Sequence, residues 1–422
     1  LKAMKKILIL GAGRSSGVLI QYLLEQSLIY KWQIIVGDAA IESALSKIAN
    51  HPNGTAIKFN IQEEENIIAK VDLVISLLPP DMHFWVAEKC IKSGKSLLTA
   101  SYISDIIQGL NEAVIKKGIL IMMECGLDPG IDHMSAMKII DEIKESGGHI
   151  TLFKSYTGGL VAPESDDNPW HYKITWNPKN VVLGGKGGTA QYLEEGSPKY
   201  ISYHQLFRRV EKIEVDGYGI FEGYANRDSI SYKTVYGLDG IQTLLRGTLR
   251  KEGFCSAWDL LVQLGMTDDN FILKGSEQMT YKEFTSSFLP SNNVIGLKSK
   301  LAGYFQLSTE DPAINKLEWL GLFSDEKINK ANVSPAAVLQ GLMEQKWKFG
   351  PHDKDMIVMQ HIFNYEIEGK KYEKLSSLVV IGKNSNETAM ATTVGLPLGI
   401  VAKLILTGQL KLTGVKIPVM KE

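Results

Sequence analysis

The apolar residues in the first third of the chain switch repeatedly between the spacing of a β-strand and that of an α-helix. Residues 5–27, KKILILGAGRSSGVLIQYLLEQS, read as a short strand rich in Ile and Leu, a glycine turn and a helix with apolar residues three and four positions apart. Strand-like runs recur at WQIIVGD, AIKF, DLVISLLP, SLLTASY and GILIMME, with helical segments between them. This alternation predicts a doubly wound parallel sheet.

From about Ile150 the pattern changes to strand-like runs separated by polar segments. HITLFKSYTGGL is predicted to be a strand, and APESDDNPWHYKITW a polar loop that enters another strand. Later strands are predicted at PKYISYH, VEKIEVDGYG and MIVMQHIFNYEIEGKKYEKLSSLVVIGK, whereas residues 231–347, including LDGIQTLLRGTLRKEGFCSAWDLLVQLG, have a helical period. These runs indicate a second α/β domain with a mixed sheet and a helical insertion.

The predicted protein is therefore of the α/β class, with a Rossmann-type doubly wound parallel sheet and a second mixed-sheet domain. Its expected parts are a Rossmann dinucleotide-binding domain at 4–125, a substrate-binding α/β domain at 126–230 and 348–386, a helical domain at 231–347, and a C-terminal helix at 387–422 that returns to the Rossmann domain. The apolar run TAMATTVGLPLGIVAKLILTG contains Pro397, Lys403 and several threonines, so we expect a helix packed on the fold and no membrane partner.

Composition and charge narrow the range of partners. The 422 residues carry a formal net charge of −1, which gives no field to attract nucleic acid or an anionic membrane, so a small-molecule partner is expected. The three cysteines lie far apart without C-x-x-C spacing, which predicts neither a disulfide scaffold nor a metal site. Met4 leads directly into a strand with no signal or transit peptide before it, so we expect a cytoplasmic enzyme.

The glycine turn after the first strand has the residues of a dinucleotide site. Gly11 permits a tight turn, Gly13 lets backbone N–H groups approach a pyrophosphate, and the next helix presents its positive N-terminus to the phosphates. The third glycine of the usual G-x-G-x-x-G is displaced, because Ser16 occupies its position and Gly17 follows. A Gly-rich βαβ unit without a ligand is the structural alternative.

Asp38 supports the dinucleotide interpretation and suggests which cofactor binds. It ends the second strand, where an acid can accept hydrogen bonds from both ribose hydroxyls. It would oppose a 2′-phosphate, and the segment VGDAAIES offers no arginine to receive one. NAD is therefore predicted in preference to NADP.

The stretch CGLDPGIDH, residues 125–133, is a predicted strand-to-helix turn with two acids, two glycines and a proline. Proline and glycine suit a turn, and an Asp just before a helix can cap its free N–H groups. The functional alternative is that open α/β sheets bind their ligands at the carboxyl ends of the strands. Asp128 is the expected functional acid, and Asp132, one turn into the helix, the expected structural one.

Arginine is rare in this chain except in one region. Only six of the 46 basic residues are arginine, and five of them fall between Arg208 and Arg250. A guanidinium fork holds a carboxylate in a bidentate manner, although structural salt bridges or exposed charges are the alternatives. Arg246 and Arg250 are four apart, so on a helix they would share one face. The cluster favours a small substrate with several anionic groups.

Five blocks of sequence resemble one known family. The segments GLDPGIDHMSAMKIID, SYTGGLVAPESDDNPWHYKITW, EGYANRDS, LLRGTLR and KDMIVMQH, in this order, are similar to the glutamate-forming saccharopine dehydrogenases, also called saccharopine reductases. The resemblance covers nearly the whole chain and implies oxidation of saccharopine, with water, to glutamate and 2-aminoadipate 6-semialdehyde in lysine metabolism. Thr157 and Val161 depart from the family, which commonly has Cys and Pro there.

The resemblance also implies roles for individual residues. Asp128 and Tyr102 would be catalytic, with Asp128 pairing with the substrate's ammonium or the developing iminium, which it would stabilise more than the neutral amine. The expected substrate contacts are Ser101, Tyr102, Asp128, Arg227, Thr248, Leu249 and Arg250. The expected cofactor contacts are Gly11, Ala12, Gly13, Arg14, Ser15, Ser16, Asp38, Leu77, Leu78, Leu127, Asp128, Pro129 and Trp176.

Several alternatives stay open from the sequence. The general base could be His133, His171, Lys173 or Tyr102. The protein could instead be a related amino-acid or polyamine dehydrogenase of the carboxynorspermidine type, a semialdehyde dehydrogenase with Cys125 as nucleophile, or a cofactor-binding regulator without catalysis. A homodimer is possible.

Overall fold

The chain forms two compact units in the computed structural model, which describes residues 4–60, 65–184, 188–291 and 296–422. The first unit contains the chain up to Glu145 together with Ile381–Glu422, and the second contains Ser146–Val380. The first unit thus keeps the helix that follows the CGLDPGIDH turn, beyond the expected domain boundary at residue 125.

Strands and helices alternate through the first part of the first unit. In chain order they are β1 Lys6–Leu10, α1 Gly17–Tyr30, β2 Gln33–Asp38, α2 Ile41–Ile48, β3 Gly54–Lys58, α3 Glu65–Ala69, β4 Leu73–Ser76, α4 His83–Ser93, β5 Ser96–Thr99, α5 Asp105–Gln108, α6 Asn111–Lys116, β6 Leu120–Met122 and α7 Ile131–Glu145. The predicted strand runs of this region are confirmed.

The second unit combines a strand-rich layer with a set of helices. Its elements are β7 His149–Val161, α8 Pro178–Val182, β8 Ala190–Glu194, β9 Ser197–Ile201, α9 Tyr203–Leu206, β10 Val210–Val215, β11 Gly219–Ala225, α10 Tyr232–Val235, β12 Thr243–Lys251, α11 Phe254–Leu264, α12 Tyr281–Ser287, α13 Leu297–Phe305, α14 Pro312–Leu320, α15 Pro335–Lys346, β13 Asp355–Ile367 and β14 Lys370–Ile381. The chain then returns to the first unit with α16 Ala389–Thr407 and β15 Gly414–Lys416.

The first unit is a doubly wound parallel sheet, as predicted. Within the described residues its order is β15-β6-β5-β4-β1-β2-β3, and neighbouring strands pair in parallel. Ile7 and Ile9 of β1 face one hydrophobic layer, and Leu8 of the same strand faces the other. Burial of both faces explains why the central strands β1 and β4 are almost continuously apolar. The strand order reverses between β1 and β4, where such sheets bind ligands at the carboxyl ends of the strands.

Helix α16 is long and apolar enough, by length and composition alone, to cross a membrane. Its glycines nevertheless press against α1: an added Cβ would lie 3.1 Å from Leu19 at Gly395 and 2.6 Å from the Tyr22 ring at Gly399. Close packing of this kind needs residues without a side chain. The face of α16 that carries these glycines is therefore packed against α1 inside the first unit.

The second unit contains the predicted mixed sheet. Its main path, in the described part of the chain, is β10-β11-β12-β7-β13-β14, and β8 links β12 to β9. Strands β12 and β7 are parallel, whereas β11 with β12 and β13 with β7 are antiparallel.

Two local predictions for this unit are wrong. Residues 243–251, predicted to be helical, form strand β12, in which the polar residues Arg246, Thr248 and Arg250 alternate with apolar ones. The predicted strand at YKITW is not formed, because the Ile174 N–H donates to Trp347 O at the end of α15 rather than to a neighbouring strand. The helices predicted from Phe254 onwards are present.

Candidate active site

The glycine turn after β1 is shaped by close backbone packing. Gly11 has φ of 99°, its N–H donates to Gly37 O over 2.8 Å, and an added Cβ would lie only 3.0 Å from Leu77 O. A left-handed residue in such a space must be glycine. The turn therefore brings the ends of β1, β2 and β4 together.

The displaced third glycine has a structural reason. Arg14–Ser16 form a short 3-10 turn between Gly13 and α1, and the Ser16 hydroxyl donates to Gly13 O over 2.8 Å. This turn delays the start of α1 to Gly17, where an added Cβ would meet Lys47 Nζ at 3.3 Å. The last glycine of the motif is therefore the first residue of α1, one position later than usual.

Asp38 is fixed beside this turn at the end of β2. Its Oδ2 accepts from the Ala12 N–H at 2.7 Å, and its Oδ1 accepts from the Ala40 N–H at 2.9 Å. The space around Gly13 is open, since an added Cβ there would meet nothing within 4 Å. An open glycine at a helix N-terminus, beside an anchored acid, fits a dinucleotide whose phosphates bind the turn and whose ribose faces Asp38.

The remaining cofactor candidates of the first unit lie around the same edge of the sheet. Leu77 and Leu78 follow β4, and Leu127, Asp128 and Pro129 follow β6, at the carboxyl ends of their strands. Arg14 is exposed and Ser15 is half-buried in the 3-10 turn.

The CGLDPGIDH turn requires both of its glycines. An added Cβ at Gly126 would lie 2.8 Å from Ala100 Cβ, and one at Gly130, where φ is 149°, would overlap the Gly126 backbone. The Asp128–Pro129 peptide bond is cis. Asp132 Oδ1 accepts from the Gly130 N–H at 2.6 Å and the acid is buried, in agreement with its expected structural role.

Asp128 and Tyr102 meet, although they follow different strands. The Tyr102 hydroxyl donates to Asp128 Oδ1 over 2.9 Å, and both side chains are half-buried. Tyr102 comes after β5 and Asp128 after β6, and these strands are neighbours in the sheet. The two residues expected to be catalytic therefore form one hydrogen-bonded pair.

Ser101 belongs to a buried hydrogen-bonded group that the sequence did not reveal. His83 Nε2 lies 2.7 Å from Ser101 Oγ and 3.3 Å from Thr99 Oγ1, and His83 Nδ1 lies 3.0 Å from Ser76 Oγ. Burial lowers the pKa of His83 to about 4, against a smaller opposing effect of Asp81, so the imidazole is neutral at pH 7. The feature of the sequence that could have indicated this role is the position of His83 at the start of the helix after β4.

Glu124 is a second buried residue that sequence reasoning passed over. It follows β6, is 1% exposed, and its Oε2 lies 2.8 Å from His133 Nε2. The signal for it was an acid directly after the apolar run GILIMM. His133, a candidate base, is thus a buried partner of an acid.

Cys125 lacks the features of a nucleophile. Its side chain is fully buried, and burial raises the pKa of its thiol to about 12. The thiolate is the reactive form, so a buried thiol of this kind is inert.

In the second unit, Arg250 is a buried cation surrounded by aromatic rings. It is 8% exposed, and its Cζ lies 5.3 Å from the Tyr172 ring centroid, 5.4 Å from that of Phe254 and 5.9 Å from that of Tyr224. One Nη donates to Leu249 O over 2.9 Å, whereas Nε is buried without a hydrogen-bond partner. No carboxylate in the described part of the chain pairs with it. A buried charge without a counter-ion suggests an anionic ligand.

Arg246, Thr248 and Arg250 share one face of β12, because alternate residues of a strand point the same way. In the neighbouring strand β7, Thr157 lies opposite Thr248, and its buried hydroxyl also has no hydrogen-bond partner. Leu249 points to the other face, where its side chain is fully buried in the core. Any contact of Leu249 with a ligand would therefore be made by its backbone.

The other candidates of the second unit have varied surroundings. Arg227 follows β11 in a left-handed conformation with φ of 48° and is exposed. The Trp176 indole N–H donates to the Tyr172 hydroxyl over 3.1 Å. Lys173 lies within 2.9 Å of Asp167 and Asp353, and His171 Nδ1 lies 2.8 Å from Asp166. Substrate or cofactor contact by these residues stays a prediction.

No group of three or more His, Cys, Asp or Glu side chains within the described ranges could hold a metal ion. Together, the doubly wound sheet, the glycine turn and the anchored Asp38 define the class of protein: one with a Rossmann-type domain for a dinucleotide.

Comparison with known proteins gives the family. Residues 7–122 match the model described as saccharopine dehydrogenase NADP binding domain, and residues 126–422 match the saccharopine dehydrogenase C-terminal domain. The chain is 33% identical to a protein of Schizosaccharomyces pombe named saccharopine dehydrogenase [NADP(+), L-glutamate-forming], with 98% of this chain and 94% of that protein covered. The apo saccharopine dehydrogenase (L-Glu forming) structure from Saccharomyces cerevisiae matches with a TM-score of 0.87 at 31% identity, covering 98% of this chain and 94% of that one.

The chain is also 35% identical to the mitochondrial alpha-aminoadipic semialdehyde synthase of Bos taurus, with 99% of this chain covered. It spans only 46% of that longer relative. The chain belongs to the saccharopine dehydrogenase family. The predicted family and the fold class are confirmed, and a nicotinamide cofactor is supported by the match of the first unit.

Proposed function

We propose that this protein is a saccharopine dehydrogenase that forms L-glutamate and 2-aminoadipate 6-semialdehyde from saccharopine and water. The structural observation that carries the proposal is Arg250, a buried guanidinium whose Nε has no hydrogen-bond partner. Saccharopine carries three carboxylates and a secondary amine, so a cation enclosed by aromatic rings is suited to one of its carboxylates. The name of the fungal relative at 33% identity supports the same substrate.

The chemistry requires a cation to be stabilised at the amine. A bound nicotinamide would supply the hydride acceptor for the substrate carbon that becomes the aldehyde. As the hydride leaves, the substrate nitrogen becomes an iminium, and Asp128 stabilises this positive charge more than it stabilises the neutral amine. Water then adds to the same carbon, the C–N bond breaks, glutamate leaves with the nitrogen, and a proton is released.

Tyr102 is proposed to work with Asp128 in moving the amine proton. Among the four candidates for the base, Tyr102 is the one whose described contact is with Asp128, at 2.9 Å. His133 faces Glu124, and Lys173 and His171 face acids of the second unit. If Asp128 pairs with the substrate nitrogen, this contact brings the Tyr102 hydroxyl close to the amine proton, as general base catalysis requires.

For the cofactor we propose NAD in preference to NADP. The matching family model and the fungal relative are named for NADP. In this chain, however, Asp38 is anchored by the N–H groups of Ala12 and Ala40, and a carboxylate held at the end of β2 would oppose a 2′-phosphate on a ribose bound there. Arg14 and Lys47 are the nearby cations that a preference for NADP would have to use.

The experiment is to follow the absorbance of the reduced cofactor with saccharopine and either NAD or NADP. Turnover with saccharopine, and a higher kcat/KM with NAD, are the expected results. Turnover with a carboxylated polyamine but not with saccharopine would support the related dehydrogenase, and cofactor binding without any turnover would support the regulator. The cytoplasmic location and the homodimer stay predictions.

A further inference from the structure

Glu124 occupies a conformation that its residue type disfavours. It has φ of 56°, in the left-handed region, and its side chain is 1% exposed. A left-handed backbone costs free energy in residues other than glycine, and it persists where the surrounding contacts determine it. Such residues cluster at functional sites, so the contacts of Glu124 indicate what the conformation achieves.

The backbone and side chain of Glu124 hold both neighbours of Tyr102. The Glu124 N–H donates to Ser101 O over 3.0 Å, and the Ile103 N–H donates to Glu124 Oε1 over 2.9 Å. The segment that carries Tyr102 is therefore fastened on each side of that residue. The left-handed turn lets one residue provide both contacts.

The second carboxylate oxygen of Glu124 reaches the segment that follows Asp128. Its Oε2 lies 2.8 Å from Nε2 of His133, which is fully buried in the first turn of α7. Next to it, Asp132 lies 3.7 Å from His133 Nδ1 and accepts from the Gly130 N–H. Glu124 thus connects the segment of Tyr102 with the turn of Asp128.

We propose that Glu124 is a positioning residue that, through Ile103 and His133, holds the Tyr102 hydroxyl against Asp128. Glu124 is buried and acts through these two residues, without touching substrate. The inference rests on the proposed function, because the Tyr102–Asp128 pair carries the chemistry only there. A shift of about 1 Å in such a pair can lower the rate of the chemical step about 100-fold.

The test is a double-mutant cycle with Glu124→Gln and Tyr102→Phe. The glutamine keeps an oxygen for Ile103 but loses the charge and the second acceptor opposite His133. In the wild-type background we expect kcat with saccharopine to fall about 10- to 100-fold and the Kd for NAD to change less than about twofold. In the Tyr102→Phe background the same substitution should lower kcat less than about threefold, because the group it positions is already absent.

Asp72→Asn provides the matched control. Asp72 also accepts a hydrogen bond from a backbone N–H, that of Lys6, at 2.7 Å. It directly precedes β4, so it lies at the amino end of the strands, opposite the end that carries Tyr102 and Asp128. This variant should keep the wild-type kcat. An equal loss from Glu124→Gln in both backgrounds, a parallel loss of NAD affinity, or unchanged kcat would overturn the proposal.

A crystal structure of the Glu124→Gln variant separates this inference from the proposed function. The Tyr102 Oη to Asp128 Oδ1 distance should lengthen from 2.9 Å to beyond about 3.5 Å, whether or not saccharopine proves to be the substrate. An unchanged distance contradicts the positioning role, whereas absence of wild-type turnover contradicts only the proposed function. If Glu124→Gln does not fold, Glu124→Asp is measured in the same cycle, and failure of both to fold would show that the residue is structural.

Discussion

The hydroxyl of Tyr102 donates a 2.9 Å hydrogen bond to Oδ1 of Asp128, and this contact joins the ends of two neighbouring parallel strands. The bond fixes the carboxylate at the carboxyl edge of the sheet before any ligand binds. A charge held in place costs no reorganisation when a cation develops opposite it. The pair is therefore suited to stabilising an iminium at this edge.

Asp128→Asn should lower turnover far more than it lowers cofactor affinity. Asparagine keeps an oxygen for the Tyr102 hydroxyl but removes the negative charge, so we expect kcat with saccharopine to fall about 100-fold. The Kd for NAD, measured by fluorescence titration, should change little. Since Asn caps helices about as well as Asp, a stable variant with near-normal kinetics would return this turn to a purely structural role.

Asp38→Asn should relax the discrimination against NADP. The substitution keeps one of the two acceptor oxygens beside Ala12 and Ala40 and removes the charge opposite a 2′-phosphate, so the kcat/KM ratio of NADP to NAD should rise at least about tenfold. Glu42→Ala, which removes an exposed acid in the first turn of α2, should leave the ratio unchanged. A wild-type enzyme at least as efficient with NADP would contradict the assignment of NAD.

The nucleotide-binding part of the fold could be predicted from sequence because its signals are local. β1, the glycine turn, α1 and β2 follow one another, and Asp38 lies at the end of the last strand. The Tyr102–Asp128 bond could not be predicted, since it depends on β5 and β6 being neighbours. The contacts of His83 and Glu124 depend on the same sheet order.

Strand β12 shows where periodicity failed. Arg246 and Arg250 are four residues apart, a spacing that places two side chains on one face of a helix and also on one face of a strand. Pairing with β11 and β7 decided in favour of the strand. Arg246 and Arg250 do share one face, as expected, but it is the face of a strand and not of a helix.

Protonation of His83 should lower the free energy of unfolding in mild acid. Burial lowers its pKa in the folded protein to about 4, below the ordinary histidine pKa of about 6.5, so the neutral buried form contributes stability that is present above pH 6.5 and is lost as the pH falls towards 4. The shift corresponds to about 3 kcal/mol. His83→Gln should flatten the decline in unfolding free energy between pH 6.5 and 4, measured by urea denaturation, whereas exposed His352→Gln should not. Parallel declines in both variants would argue against this role.

Cys125→Ala should retain activity within about threefold. The thiol is fully buried with a pKa raised to about 12 by burial, so it is not ionised at neutral pH. Cys125→Ser should also be active, but its free energy of unfolding should be lower by about 1–3 kcal/mol, because the serine hydroxyl would be buried where the thiol needs no hydrogen-bond partner. Complete loss of turnover in a folded Ala variant would revive the cysteine mechanism.

Arg250→Lys should weaken catalysis with saccharopine while leaving NAD affinity unchanged. Lysine keeps the charge but removes the planar fork, and charge-assisted hydrogen bonds contribute about 1.5–3 kcal/mol, so kcat/KM should fall about 10- to 150-fold. Arg227→Lys should act in the same direction. Arg208→Lys is the control, because Arg208 is half-exposed and pairs with Asp259 at 2.9 Å, a contact that lysine can replace at little cost. Equal activity of all three variants would mean that these arginines hold no substrate carboxylate, and the tricarboxylate substrate would then rest on family membership alone.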